Sequence, residues 1–441
     1  MSDGTRASSL LSRSGAACRD ADGLRRRWLH LQCGRHRNTL DGMRPARPHV
    51  LALNAGSSSI KFALYECGSW NAPVLRGKLD QRGAEKATLS WSQAGDPSEQ
   101  KAVSVPNHGL TARLLDWLDG RTELSLVRGI GHRIVHGFAH AEPARVTPEL
   151  LQELQQSIPY APDHLPRELE LIDAVAVRYR HVPQATCFDT AFHHNLVPAA
   201  RILPIPRRYF AKGVRRYGFH GLSYAFLLEE LNRVAGPSAA LGRVILAHLG
   251  NGASMAAVRE GRCLDTSMGF TPAAGLTMST RTGDLDPGLI SFLARTEHMT
   301  IAQFDRLVNH ESGLLGVSEI SSDMRELLAR ETEDGAAEAI ALFCYQARKW
   351  VGAFAAALGG LDTLVFAAGI GEHSAPVRAR ICEDLDFLGI EVDVARNATH
   401  APVISTDGSR VTVRVMPTNE ELMIARSTSH LLDLDRIHAG D

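Results

Sequence analysis

The sequence predicts an α/β fold made of two similar halves, and three observations predict it. The first is an internal repeat. Sliding the chain by 194 residues lays the block 51–66 on 245–260 without a gap, with Gly56 on Gly250, Ala63 on Ala257 and Glu66 on Glu260. Identity between the blocks is low, so the repeat rests on a strand–turn–strand pattern at the head of two similar-sized stretches. The second is an alternation of short apolar runs with helical stripes, the pattern of layered α/β domains. The third is composition: 441 residues, 44% hydrophobic and 22% charged, with 38 glycines against 26 aromatics. Such values exclude collagen-like, disordered and coiled-coil chains. Length alone predicts two or three domains, and the duplication selects two. The glycine excess marks places where backbone, not side chain, must approach something.

The elements follow in order. Residues 1–50 hold ten Arg, four Asp and neither Lys nor Glu, a local net of +6. From Met1 to about Arg47 there is no apolar periodicity and no apolar core of about 7–15 residues, so this is not a secretory signal. Its Arg and Ser content loosely matches an organelle transit peptide, but Asp3, Asp20, Asp22 and Asp41 weigh against that. The alternatives are a disordered tail, or sequence ahead of a true start at Met43. Residues 1–47 are therefore set apart as a leader or mis-assigned start, closed by Pro45 and Pro48. Val50–Leu53, the turn Asn54–Ser59 and Ile60–Glu66 then read as a hairpin whose turn is rich in backbone and hydroxyl donors. Its second copy runs Ile245–His248, Leu249–Ser254 and Met255–Glu260. Thr147 as N-cap and Pro148 at N1 open a helix with the stripe Leu150, Leu151, Leu154 and Ile158. A long helix from about Ala336 to Leu358 stops at Gly359-Gly360. A strand Thr363–Ala367, a glycine turn Ala368–Glu372 and a helix from about Ser374 make a layout that aims amides at an anion. A last strand, Val411–Val415, leads through Pro417-Thr418 into a closing helix.

Charge and cysteine usage exclude whole classes of function. The chain carries 48 basic and 49 acidic side chains, a net of −1, so the body beyond residue 50 stands at −7. Neither value favours a nucleic-acid partner. The seven cysteines (Cys18, Cys33, Cys67, Cys187, Cys263, Cys344, Cys382) form no CxxC pair. That argues for free thiols in a reducing cytoplasm, not for a disulfide framework or zinc ribbon. The most apolar stretch, Val351–Leu361, is far below the 18 or so residues of a membrane span, so no membrane partner is expected.

Three glycine-bearing turns, 54–59, 250–254 and 369–371, suit a nucleotide held in a cleft between the halves. Any one of them more often only reverses the chain, and neither a P-loop nor a full GxGxxG is present. Lys61, at the start of a strand, could offer a point charge to a phosphate or simply face solvent. In Gly131-His132-Arg133-Ile134-Val135-His136-Gly137, β-branched residues favour a strand, with both histidines on one face and Arg133 beside Val135 on the other. Arg133 there makes a fork for a carboxylate next to an apolar contact. Asp189, after an apolar run, could hold a metal, orient a nucleophile or cap a helix. His220 sits at the mouth of a helix, and Arg281 is the permanent cation of the loop Ser279–Pro287, able to neutralise phosphoryl charge or to pair with Asp284 or Asp286. Near the end, Thr418 and Glu421 read as a capping box, which leaves Glu420 free for a hard cation such as Mg²⁺.

Eight segments in this order resemble the acetate kinase family: Leu53–Ser59, Gly131–Gly137, Phe188–His193, Tyr217–Gly221, His248–Gly252, Thr280–Pro287, Gly369–Glu372 and Pro417–Glu421. The likeness spans about 48–430. It implies two ribonuclease H-like domains around a nucleotide cleft, the architecture shared with sugar kinases and actin-like ATPases. Residues 48–192 with 421–441 would form the acyl-binding domain, and 193–420 the nucleotide-binding domain. The implied reaction is reversible transfer of the ATP γ-phosphoryl group to acetate, giving acetyl phosphate and ADP, with Mg²⁺ or in its place Mn²⁺. The family pattern further implies a homodimer.

By motif match, Asn54 and Glu420 would serve the metal and Lys61 the nucleotide phosphates. His248, Leu249, Gly250, Asn251, Gly252, Asp323, Met324, Arg325, Gly369, Ile370, Gly371, Glu372 and His373 would complete the nucleotide site. Arg133 would grip the carboxylate, with Val135, Phe219 and Pro272 around the methyl. His220 and Arg281 would stabilise the transferring group. Asp189 matches the family's catalytic acidic residue. Because acetate is already ionised, that residue is better read as orienting Arg or metal than as removing a proton. Three departures stand out: Asp163 where Leu is common, expected to point away from the acyl group, His373 for Asn, and Ala367 for Thr. Propionate is the rival acceptor. A non-catalytic ATP switch is the rival class, disfavoured because a switch needs no acyl-binding arginine.

Overall fold

In the computed structural model, residues 47–436 are described, apart from 57–58, 82–85, 94–95, 97 and 105–108. The expectation for the leader, and that for the hydroxyls of Ser57 and Ser58, lie outside the described residues.

Thirteen strands form two sheets among the described residues. The first holds β1 (His49–Ala55), β2 (Ser59–Glu66), β3 (Leu75–Gln81), β4 (Lys86–Gln93), β5 (Glu99–Ser104), β6 (Val127–Ile134), β7 (Ala144–Arg145) and β8 (Gln184–Phe188) in the order β5-β4-β3-β2-β1-β6-β8-β7. The second holds β9 (Val244–Leu249), β10 (Ala253–Arg259), β11 (Arg262–Thr266), β12 (Thr363–Ala367) and β13 (Thr412–Val415) in the order β11-β10-β9-β12-β13. The duplication is visible in the topology. In each sheet a hairpin lies antiparallel, its first strand pairs parallel with a later strand (β6 or β12), and that strand pairs parallel with a third (β8 or β13). β3 and β11 extend the two hairpins in the same way.

The two hairpins differ by one residue in register. The first closes on the pair Ala55–Ile60, the second on Leu249–Ala253. The 194-residue shift therefore matches Asn54 to His248, whereas Lys61, the cross-strand partner of Asn54, corresponds to Ser254.

Helices α1 (Gly109–Asp119), α2 (Pro148–Gln156), α3 (Leu165–Arg178), α4 (Gly221–Ala235), α5 (Asp334–Leu358) and α6 (Glu420–Leu431) cover the sheets. β1 is buried along its whole length. Leu51 and Leu53 pack with Leu114, Leu118 and Leu171 on one side; Val50 and Ala52 pack with Leu422, Ile424 and Ala425 on the other. Gly131 lets α6 lie this close, because a Cβ there would sit 2.2 Å from Thr428 Oγ1. Helix α2 starts on the Thr147 cap and Pro148 as expected, but Ile158 belongs to a following short 3₁₀ turn. Helix α5 ends at Gly359, whose φ of +72° a residue with a Cβ would adopt only at a cost.

Two local expectations are corrected. The glycine segment after β12 is itself a helical turn, Ala368–His373, and the next helix begins at Ala375. The closing helix is capped by Asn419, whose Oδ1 accepts from the Leu422 amide at 3.0 Å, not by a Thr418–Glu421 box. Thr418 instead bonds Ser223, and Glu421 accepts from Asn54. The cysteines Cys67, Cys187, Cys263, Cys344 and Cys382 are free and buried. No helix among the described residues is long and apolar enough to cross a membrane.

Candidate active site

The hairpin turns of β1–β2 and β9–β10 open onto one cavity of about 1010 Å³. Of the residues singled out in the sequence, Asn54, Lys61, Arg133, His220, His248, Gly250–Gly252, Asp323–Arg325, Gly369, Ile370, Glu372, His373 and Glu420 line it. Asp189 is fully buried against Arg133, and Arg281 brings its Nη1 beside Gly252. Leu249 and Gly371 are buried in the core, and Val135 and Phe219 are 2% and 1% exposed. Pro272 meets Arg281 through its carbonyl, which accepts from Nη1 at 2.9 Å.

Arg133 sits one residue from the end of β6, and Asp189 directly follows the neighbouring β8. Arg133 Nε and Nη2 both donate to Asp189 Oδ2, at 3.0 and 2.6 Å. Nη1 reaches Ala55 O at 3.4 Å and Asn54 Oδ1 at 3.5 Å. Burial works against the Arg133 charge, but Asp189 and Glu420 outweigh it and hold the guanidinium above its usual pKa. Burial and the Glu420 charge push the Asp189 carboxyl up while Arg133 pulls it back. Asp189 Oδ1 is buried without a hydrogen-bond partner. Asp189 thus orients the arginine; it caps no helix.

Asn54 Nδ2 donates at 2.8 Å to both Glu420 Oε2 and Glu421 Oε1, from opposite ends of the chain. Burial opposes the Glu420 charge, yet Arg133 and Lys61 prevail and keep that carboxyl below its usual range. Among the described residues no cluster of three His, Cys, Asp or Glu forms a ready metal cage. Mg²⁺ needs none, because it keeps water and phosphate oxygens and takes one or two carboxylates. The ionised Glu420 fits such a cation. Asn54 would join it only with its amide turned over, since its oxygen faces Arg133.

His220 caps α4 in the left-handed region, φ +59°, a strained position for a residue with a Cβ. Its Nδ1 lies 2.8 Å from Ser254 Oγ, and its ring stacks on His248 at 4.1 Å. His248 Nδ1 in turn lies 2.8 Å from Ser223 Oγ. Burial depresses His248 to about 4 against the pull of Glu420, and burial with the positive charge of Arg133 and Arg281 holds His220 well below 6.5, so both are neutral near pH 7. A Cβ on Gly252 would meet His220 Nε2 at 3.2 Å and Arg281 Nη1 at 3.8 Å. The bare glycine therefore leaves room for both tips beside one backbone turn. Burial and the like charge of Arg133 lower the Arg281 pKa.

The scan against family models matches the Acetokinase family over residues 49–426. The chain belongs to the acetokinase family. It is 43% identical over 397 residues to an acetate kinase of Methylocella silvestris, covering 87% of this chain and 98% of that one. The solved acetate kinase of Porphyromonas gingivalis superposes with a TM-score of 0.78 at 36% identity, covering 87% of this chain and all of that one. A propionate kinase of Francisella tularensis gives 0.81 at 32% identity, covering 87% and 99%.

With acetokinase family membership in hand, the departures read locally. Asp163 is exposed and turns toward His310, 3.7 Å away, instead of toward Arg133. His373 is on the surface next to Glu372. Sequence reasoning missed Ser254 and Ser223, which fix the two histidines, and Lys78, which pairs with Lys61 across β2–β3 and lines the same cavity. Opposed lysines repel, and that repulsion would have been a signal for an anion had β3 been recognised. His164 was missed as well. Burial, with Arg281 and Arg133 facing it, depresses its ring to about 3.

Proposed function

We propose that the chain transfers the γ-phosphoryl group of ATP to acetate, reversibly, giving acetyl phosphate and ADP. The observation that carries this reading is that Arg133 and Arg281 both face His220, with the tips of His220 and Arg281 beside Gly252, in a chain of the acetokinase family. Arg133, aimed by Asp189, binds the acetate carboxylate, with Val135, Phe219 and Pro272 against the methyl. Acetate is ionised near neutral pH and already nucleophilic, so the residues need only align it and exclude water. Neutral His220 donates a hydrogen bond to the transferring group, and Arg281 balances the charge that spreads over its oxygens. Lys61 meets the nucleotide phosphates. Gly250–Gly252, Asp323–Arg325, Gly369, Ile370, Glu372 and His373 hold the rest of the nucleotide. Glu420 and Asn54 would hold Mg²⁺, which when bound neutralises phosphate charge.

The proposal assigns 48–192 with 421–441 to acyl binding and 193–420 to the nucleotide, supported by α6 packing on the first sheet. By family resemblance it extends to a cytoplasmic homodimer. The test is trapping with hydroxylamine in the presence of ATP, Mg²⁺ and acetate, propionate or butyrate. An acyl hydroxamate from acetate is expected; none from any of the three would overturn the reading, and one from propionate alone would move it to that acid.

A further inference from the structure

A buried carboxyl lies against the acyl-binding arm and takes no part in the steps above. Ile134 gives its carbonyl to the Asp189 amide at 3.0 Å on the β8 side. Across the same trans peptide, the Val135 amide faces the opposite edge. On that edge β1 has stopped pairing, its last partner on β6 being His132. A buried amide without an acceptor is costly. Glu168 supplies the acceptor: its Oε1 and Oε2 lie 3.2 and 3.1 Å from Val135 N, and the residue is 2% exposed.

Glu168 belongs to the first turn of α3, and its own amide donates to His164 O at 3.2 Å. The single carboxyl therefore ties the end of β6, with Arg133 and Val135, to the turn that brings His164 toward Arg133 and Arg281. Among the described residues, the charged groups acting on Glu168 are Arg133 from β6 and Asp189 from behind β8, with none from β1, α1 or α2.

We propose that Glu168 is a positioning residue for the carboxylate substrate: it fixes the Arg133–Val135 arm and sets how much positive charge Arg133 offers. This rests on the acetate reading above. Burial pushes the Glu168 carboxyl up to about 8, against the pull of Arg133 and the Val135 amide. Protonated, it leaves Arg133 to Asp189 and Glu420 alone. Ionised at higher pH, it adds a third negative charge that opposes acetate.

Two variants separate the bond from the charge. Glu168→Leu removes both, and Glu168→Gln keeps an acceptor while removing the charge. With acetate and ATP each varied at pH 6.5 and 9, Glu168→Leu should raise the acetate KM about tenfold, the scale of an orphaned buried amide, and leave the ATP KM within about twofold. Glu168→Gln should match the unaltered protein at pH 6.5 and show a severalfold lower acetate KM at pH 9. A folded Leu variant with unchanged acetate KM, or with both KM values rising together, overturns the proposal. If the Leu variant does not fold, the Gln variant decides alone, and identity with the unaltered protein at both pH values overturns the role. Failure of the unaltered protein to use acetate would instead overturn the acetate reading itself.

Discussion

Replacing Asp189 by Asn tests whether this carboxylate acts through Arg133 or on the reacting atoms. Asp189 is 0% exposed, and both of its close contacts from Arg133 fall on one oxygen, at 3.0 and 2.6 Å. With charge centres about 4 Å apart and an effective dielectric near 20, the attraction is about 4 kcal/mol. The amide of Asn keeps a neutral hydrogen bond worth about 1 kcal/mol. A net loss of about 3 kcal/mol remains, so kcat/KM for acetate should fall about 100-fold, at about 1.4 kcal/mol per decade. The assay is a double-mutant cycle: Asp189→Asn, Arg133→Ala and the pair, each as acetate saturation curves at saturating ATP. If Asp189 serves only to hold Arg133, adding Asp189→Asn to Arg133→Ala costs less than about threefold. Losses that multiply would refute the reasoning and give Asp189 its own contact with substrate or metal.

Arg281→Ala should lower kcat by about 10³-fold with little change in either KM, in line with arginines that meet a transferring phosphoryl group; near-normal turnover in initial-rate assays would show the cation is misassigned. Stability should fall in acid. Burial depresses His132 and His193 to about 4 and His136 to about 3, against 6.5 unfolded. Between those values the unfolded chain binds more protons, so stability is intact above about pH 6.5 and drains as pH drops toward 4, by up to about 3 kcal/mol for each ring. Urea midpoints at pH 7.5, 5.5 and 4.5 should decline in that order; equal midpoints would contradict the burial of neutral rings.

The two hairpins, β12 and the long helix were legible because apolar runs bounded by glycine report local geometry. β3 to β5 were not: Lys78 and Asp80 on β3 share a face, and the alternation there is too polar to stand out. The Thr418–Glu421 cap failed because Asn419 competes for the same amides, and because Glu421 answers to Asn54, a partner 367 residues away that no local rule can see. Glu168 left a faint trace, as an acid on the apolar stripe of Leu165, Leu169 and Ile172. That pattern says a carboxyl is buried without saying what it meets. Asp189, Arg133 and Glu420 could be named as chemistry from their segments, but their mutual distances depend on β6 pairing with β8 and on α6 packing against that sheet.

The seating of α6 on the first sheet has a consequence for how the protein is made. Val50, Ala52, Tyr65 and Cys187 are covered in part by Leu222 of α4 and in part by side chains from Leu422 onward, some 230 residues after β8 is complete. At about 5–20 residues per second, the ribosome leaves that apolar face incompletely covered for roughly 10–50 seconds. The early half of the chain must therefore wait, partly exposed, for the last helix, and the Asn54–Glu420 contact cannot form on any nascent chain still lacking it. Removal of α6 should accordingly leave Val50 and Ala52 exposed and destabilise the fold.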